Sequence, residues 1–295
     1  MGLLKTLPHI HSGKVRDTYL IPGDSDHLLM VASDRLSTHN VKHDTLVRQK
    51  GELLTALTVF YTFDVLRGIP THLEAYGEDV YRLFGGSAYD ELLEQNIGMR
   101  AMVVRKHTPT LREFIYRSYL TGSLYKAIQK QGTDPYGLGL TPELPLMYRF
   151  PEPIFTPTEK SENDEPVPSK ETWDLFIQES MVTSLAYGRI SDYLATRGIT
   201  LIDGKFEAAG RVLIDEWGTG DCCRMAFEDE VREGEDPPFL DKEVFRKEAE
   251  RIWSGGEKYP ITFSDEVTAS GGGRYHQGFE AITGVNLSSF QKNFM

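Results

Sequence analysis

The chain has 295 residues, 40% of them hydrophobic, which is enough for one large or two modest domains with a real core and sets disorder aside. A formal net charge of −12 excludes a general nucleic-acid binder, because phosphate neutralisation needs clustered Lys and Arg; an anionic ligand would need a local basic pocket. No stretch approaches the ~18 apolar residues of a membrane span, and MGLLKTLPHIHSGK carries no signal-peptide apolar region, so a cytoplasmic protein without a membrane partner is expected.

From Lys14 the short apolar runs VRDTYLI and HLLMVAS, broken at Pro22–Asp24, predict an antiparallel hairpin. Apolar residues at helical spacing (Leu53, Leu54, Leu57, Phe60, Tyr61, Val65) predict a helix over 52–66, ending near Gly68 and Pro70. MRAMVVRK at 99–106 reads as a strand, and HTPTL after it marks a boundary between a sheet-rich lobe, 1–106, and a larger lobe, 107–295. Residues 132–169, dense in Pro, Gly and Thr, read as a long loop, of a length that is usually functional or disordered. A helical pattern then runs over 170–196 and closes at Gly198, followed by two strands, ITLIDGKFEA and RVLIDEW, around Ala209-Gly210.

That second hairpin carries the strongest chemical signal. In a strand Asp203, Lys205 and Glu207 project from one face, while Asp215, Glu216, Asp221 and Arg224 follow on or beyond the returning strand. Carboxylates so gathered suit Mg²⁺, which binds one or two of them plus substrate phosphates, and Lys205 would neutralise phosphate oxygens. An exposed face of cross-strand ion pairs is the plainer reading of D-x-K-x-E taken alone. Gly13, Lys14 and Arg16 head the first strand, where a glycine admits a ligand to the backbone and two cations point one way. Arg117-Ser-Tyr-Leu-Thr-Gly-Ser123 combines an Arg, a glycine and hydroxyls in a phosphate-binding turn ahead of a helix, with Ser123 also suited to its N-cap. Thr156, Thr158, Lys160, Asp164 and Glu165 of the long loop form a polar set suited to a substrate with an amine and carboxylates. The adjacent Cys222 and Cys223 fit neither a disulfide framework nor a zinc site and read as packed small side chains.

Taken together, GKVRD at 13–17, ASDRLS at 32–37, KGELL at 50–54, RSYLTGS at 117–123, PEPIFTPTEK at 151–160, DGKFE at 203–207, LIDEW with D-x-x-R at 213–224, LDKEVFR at 240–246 and RYHQGFEAITG at 274–284 resemble the SAICAR synthetase family in order along nearly the whole chain. The resemblance implies an α+β, two-lobed, ATP-grasp-like fold, with an antiparallel N-terminal sheet lobe, a larger α/β C-terminal lobe and ATP between them. It also implies an ATP- and Mg²⁺-dependent ligase acting on small molecules: a carboxyaminoimidazole ribotide is phosphorylated to an acyl phosphate that the aspartate amine displaces.

By motif, the resemblance assigns Gly13, Lys14, Arg16, Glu113 and Lys205 to the nucleotide and Glu207 and Asp215 to Mg²⁺. Arg117, Ser123 and Arg224 fall to the ribose phosphate, Ser33, Asp34, Arg35 and Ser37 to the imidazole substrate, and Lys160, Asp164 and Glu165 to the region closing over the substrates. Lys205, Asp203 and Arg224 are the expected catalytic set. Thr38, His39 and Asn40 depart from the family pattern after ASDRLS, the loop after Lys160 is shortened with Asn163 in place of a common His, and Cys222-Cys223 replaces a small pair. An amide ligase with another acceptor or amine, a small-molecule kinase and a nucleotide-binding regulator are the other readings; RSYLTGS and FTPTEK argue against the kinase, and the presence of Lys205, Glu207 and Asp215 against the regulator.

Overall fold

In RDTYL every second side chain is buried, Asp17 and Tyr19, the two-residue period of a strand with one face on a core. A computed structural model describes residues 3–161 and 164–295; Asn163 lies outside them. The chain divides into two compact units, the first made of 1–62, 72–106 and 241–295, the second of 63–71 and 107–240.

The first unit opens with β1 (His9–Ser12), β2 (Arg16–Leu20) and β3 (His27–Ala32), then β4 (Arg35–Thr38) and β5 (Val41–Leu46). β2 and β3 form the expected hairpin. β4 and β5 form a second one, turned by His39 and Asn40, both at positive φ (48° and 65°). Two successive left-handed residues are what a two-residue hairpin turn requires, and Asn accepts that conformation better than most. Helix α1 (Lys50–Phe60) continues into a wider π turn, Tyr61–Val65, where the chain passes into the second unit. β6 (Leu73–Tyr76), α2 (Glu78–Tyr81), α3 (Gly86–Glu94) and β7 (Ala101–Arg105) complete an antiparallel sheet of order β1-β2-β3-β7-β6. Tyr19, Leu29, Val31, Ala101 and Val103 of this sheet pack with Leu4, Val80, Leu92 and Ile97 as its core.

In the second unit β8 (Arg112–Tyr119) leads through a turn into α4 (Gly122–Gln131). β9 (Arg149–Phe155) and β10 (Thr158–Glu159) follow, then α5 (Ser169–Leu175) and α6 (Ile177–Thr196). β11 (Ile199–Ala209), β12 (Val212–Ile214) and β13 (Cys223–Phe227) end it. β11 is the spine, paired antiparallel with β8, β12 and β13. Part of 132–169 is therefore strand and not loop: β9 and β10 run along the other edge of β8, an edge position that tolerates Pro151 and Pro153 because their missing N–H groups cost no interior ladder bond. The helix expected over 170–196 is interrupted at Phe176, whose backbone (φ −119°, ψ 49°) is not helical.

The chain then returns to the first unit with α7 (Glu243–Trp253), α8 (Asp265–Thr283) and α9 (Leu287–Gln291). Residue 106 is one of the points where the chain changes unit, but the stretch 107–295 is not one continuous body. Its last 55 residues, 241–295, pack with the first unit because α8 lies on α1 and Gly271 of α8 meets the Phe245 ring of α7 so closely that a Cβ there would sit 2.2 Å from it.

Candidate active site on the β8–β11–β13 face

Strand register alone builds the first part of the site. Asp203 on β11 stands opposite Arg117 on β8 and Arg224 on β13. Its Oδ2 accepts from Nη1 of both arginines, at 2.7 Å each. All three side chains are largely withdrawn from water, at 4%, 7% and 18% exposure for Arg117, Asp203 and Arg224, and Arg117 Nε also donates to Thr156 Oγ1 at 2.9 Å. Two guanidiniums on one carboxylate leave this row with a net positive charge, in a setting where charge is weakly screened. Beside it the chain turns into α4 through Gly122 at φ +60°; a Cβ there would lie 2.8 Å from Arg224 Nη2, so glycine is required twice over, for its backbone and for the guanidinium against it.

Two residues along β11 comes Lys205, whose ammonium donates to Glu113 Oε1 at 2.5 Å, while Thr158 Oγ1 donates to Glu113 Oε2 at 2.8 Å. Burial works against the Lys205 charge, but Glu113, and behind it Glu207 and Asp215, hold its pKa well above the ordinary lysine range. The next step brings Glu207, paired with Ile214 of β12 immediately before Asp215, with its carboxylate in contact with the Lys160 ammonium. Burial, then the Asp215 charge, push the Glu207 carboxyl up to about 7 against the opposing pull of Lys160. Along β11 the face is thus polarised, from an arginine pair that exceeds its carboxylate to a carboxylate pair that exceeds its lysine.

The alternation expected from Asp203, Lys205 and Glu207 is realised, and Glu113, Arg117, Thr156, Thr158, Lys160, Asp215 and Arg224 gather on the same unit around it. Ser123, Asp164 and Glu165 lie on the same unit. Ser123 is exposed and sits inside α4; the N-cap position is held by Thr121, whose hydroxyl donates to Asp236 Oδ1 at 2.8 Å. Asp164 has a left-handed backbone (φ 49°) and Glu165 is exposed. Cys223 is buried beside Gly204, its thiol pushed up by the Cys222 contact and by burial, which fits a packed, unreactive side chain.

In the first unit, the motif residues are tied to one another. Arg35 is bidentate on the fully buried Asp17 (2.7 and 3.3 Å), and Ser12 Oγ donates to Asp17 at 2.6 Å. Asp34 accepts from Arg100 at 2.9 Å and from the Gly51 N–H at 3.0 Å. Ser33 Oγ donates to the Val15 carbonyl at 2.6 Å, Ser37 is buried, Lys14 contacts Asn40, and Gly13 N–H donates to the Arg16 carbonyl at 2.7 Å. No sequence pattern signalled the Arg35–Asp17 pair, whose members lie 18 residues apart.

Among the described residues no three His, Cys, Asp or Glu side chains are gathered as a metal cluster. Glu207 and Asp215 alone fit a Mg²⁺ that takes its remaining ligands from water and phosphate, and the observation that carries the fit is electrostatic: two like carboxylates, one with its pKa raised, drawing a lysine ammonium.

An antiparallel α+β fold that presents arginines, lysines and paired carboxylates in rows on one strand face has the make-up of an enzyme acting on charged small molecules. The chain belongs to the SAICAR synthetase family, whose model matches residues 9–261. It is 34% identical to phosphoribosylaminoimidazole-succinocarboxamide synthase of Methylobacillus flagellatus, covering 95% of this chain and 96% of that one. The corresponding synthase of Pichia angusta is 32% identical over 94% of this chain and 95% of its own. Among solved structures, SAICAR-synthase from Saccharomyces cerevisiae complexed with SAICAR superposes with a TM-score of 0.83 at 28% identity, covering 97% of each chain. A SAICAR synthetase (Type-2) in complex with ADP matches with a TM-score of 0.62 at 25% identity, covering 94% of this chain and 98% of that one.

Proposed function

We propose that this protein is an ATP-dependent carbon–nitrogen ligase of purine biosynthesis that joins carboxyaminoimidazole ribotide to L-aspartate, giving SAICAR, ADP and phosphate. The observation that carries the reading is the polarised face of β11 in a chain of this family: an arginine pair for the ribotide phosphate at one end, a carboxylate pair for Mg²⁺ at the other, and Lys205 between them.

A carboxylate at neutral pH has no leaving group, so its oxygen first takes the γ-phosphoryl group of ATP, releasing ADP. The aspartate amine then attacks the acyl carbon, phosphate leaves, and the nitrogen gives up a proton as the amide forms. Catalysis of such steps is alignment and charge neutralisation. Arg117 and Arg224 hold the ribotide phosphate, oriented by the carboxylate they share and by Thr156. Lys205, kept charged by Glu113, faces the transferring phosphoryl oxygens. Glu207 and Asp215 would hold Mg²⁺, which would neutralise phosphate charge, and Lys160, in contact with Glu207, would add a positive charge to the closing region with Asp164 and Glu165. By motif, Gly13, Lys14, Arg16 and Glu113 belong to the nucleotide, Ser33, Asp34, Arg35 and Ser37 to the imidazole substrate, and Ser123 to the ribose phosphate.

The test is ADP release with Mg²⁺-ATP and the carboxylated ribotide, with and without aspartate, with the product followed by mass spectrometry. Aspartate-dependent amide is the expected result. Tight ATP binding without amide would replace the acceptor or the amine in this reading.

A further inference from the structure

The adjacent Cys222 and Cys223 have no part in the ligase chemistry, and their geometry is not that of two residues on one strand. Successive side chains of an extended strand point to opposite faces, which would hold two such sulfurs apart. Here Cys223 opens β13, but Cys222 precedes it in a turn closed by the Thr219 carbonyl, which accepts from the N–H groups of Cys222 and Cys223 at 3.2 and 2.8 Å. The turn brings the two sulfurs to one side, 3.7 Å from each other. Room for them is made by Gly204 on β11, where a Cβ would lie 3.1 Å from Cys223 Sγ. Cys222 is half-buried, Cys223 is buried, and neither is in a disulfide.

We propose that Cys222 and Cys223 form a reversible oxidation site, closing into a vicinal disulfide by exchange with a low-molecular-weight disulfide and thereby disturbing the face that carries Lys205 and Arg224. The exchange balances in two steps. Cys222, the more open of the two, gives up its proton and attacks one sulfur of the reagent; the reagent's S–S bond breaks, one thiol leaves, and Cys222 carries the other half as a mixed disulfide. Cys223 then loses its proton and attacks Cys222 Sγ, releasing the second thiol, so that two protein thiols are oxidised and one reagent disulfide is reduced. The Cys222 contact, then burial, push the Cys223 thiol up, so Cys223 does not attack an outside reagent first. The first of those causes disappears once Cys222 is derivatised, and a sulfur already in contact acts at high effective concentration. Consecutive Cα atoms lie about 3.8 Å apart, closer than the ~4.4 Å at which ordinary disulfides begin, so the ring is strained and readily reduced again. Closing it draws the sulfurs from 3.7 Å to about 2.0 Å across one peptide unit. Both polar groups of that unit are engaged: the Cys222 carbonyl accepts from the Lys205 N–H at 2.9 Å, and the Cys223 N–H donates to Thr219. Arg224 is the next residue, and its guanidinium shares Asp203 with Arg117. The loss of turnover on oxidation rests on the placing of Lys205 and Arg224 in the proposed reaction; formation of the ring does not.

Intact mass of the full chain after equilibration with oxidised glutathione reads the ring directly, because the sequence has only these two cysteines. The wild-type chain is expected to lose two hydrogens without cross-linking to another chain, Cys223→Ser to stop with one glutathione on Cys222, and dithiothreitol to reverse both. The oxidised wild-type chain should show kcat/KM for the ribotide lowered roughly tenfold, the worth of one disturbed charge-assisted contact, and regain it on reduction, while Cys222→Ser with Cys223→Ser is indifferent to the oxidant. Two thiols still open to alkylation after oxidation, or a lasting glutathione adduct on the wild-type chain, would overturn the site, and this measurement serves if neither variant folds. A ring formed with kcat/KM unchanged would overturn its link to the β11 face. The mass decides the site even where the reduced chain shows no ribotide turnover, a result that would count against the proposed reaction alone.

Discussion

In the first unit the two carboxylates of the GKVRD and ASDRLS segments are each held by an arginine, Asp17 by Arg35 and Asp34 by Arg100, with Ser12 and the Gly51 N–H donating to them as well. On β8, β11 and β13 of the second unit charges of the same kinds stand in rows that do not cancel row by row, and two of the cations, Lys160 and Lys205, keep 41% and 38% of their side chains exposed. The first arrangement closes a fold, since a buried charge must find a partner. The second sets cations and carboxylates beside one another along a single strand, with two lysine side chains partly open to solvent. Neighbouring motifs that look alike as sequence therefore carry different loads, and substitution separates them.

The largest effect is expected at Asp215. Its backbone is left-handed (φ 70°), a conformation asparagine also accepts, so Asp215→Asn removes a negative charge without straining the turn. If the rows are catalytic, kcat for ADP release drops about a thousandfold or more while the thermal midpoint stays within a few degrees; full turnover would remove Asp215 from the metal site. The counterpart in the first unit is Asp17→Ala, which strands the Arg35 guanidinium. Breaking a buried pair costs about 3 kcal/mol, so urea denaturation should show that loss. An unchanged midpoint would show that the Asp17–Arg35 pair is not structural.

Arg224 sharpens the contrast within the face itself. Arg117 still satisfies Asp203 when Arg224 is removed, so the sheet survives. A lost charge-assisted contact to phosphate is worth about 1.5–3 kcal/mol, and Arg224→Ala is expected to raise KM for the ribotide roughly 10- to 100-fold with little change in KM for ATP. Equal effects on both substrates would move Arg224 to the nucleotide.

How much of this could be read from the sequence depended on distance along the chain. The 16–32 hairpin, α1 and the D-x-K-x-E face are local, set by periods of two and 3.6 and by turn residues, and they were legible. The partners on that face were not: Asp203 meets Arg117 86 residues away and Lys205 meets Glu113 92 residues away, pairings fixed by strand register that no local pattern encodes. β9 was hidden because Pro151 and Pro153 signal a loop, a signal that edge position overrides. Ser123 has the right chemistry for an N-cap, but the αL glycine before it puts the cap at Thr121. The return of 241–295 to the first unit depends on packing such as Gly271 on Phe245, visible only once α7 and α8 are side by side.

The smallest effect expected is one of acidity, and it separates the two units on a different axis. Burial alone would raise the Asp17 carboxyl, but the Arg35 guanidinium and the Ser12 hydroxyl hold it below its ordinary value of 3.8. A carboxyl depressed by folding contributes stability that is fully present above its unfolded value and is lost as pH falls through its folded value. The stability difference between the wild-type chain and Asp17→Asn should therefore be flat from neutral pH down to about pH 5 and shrink below about pH 4, as the wild-type carboxyl takes up its proton and comes to resemble the amide. Urea midpoints of the two chains over that range measure it. A difference that grows toward acid would mean that Arg35 does not hold Asp17 charged, and the Asp17–Arg35 pair would then lose its place as the closing contact of β2 against β4.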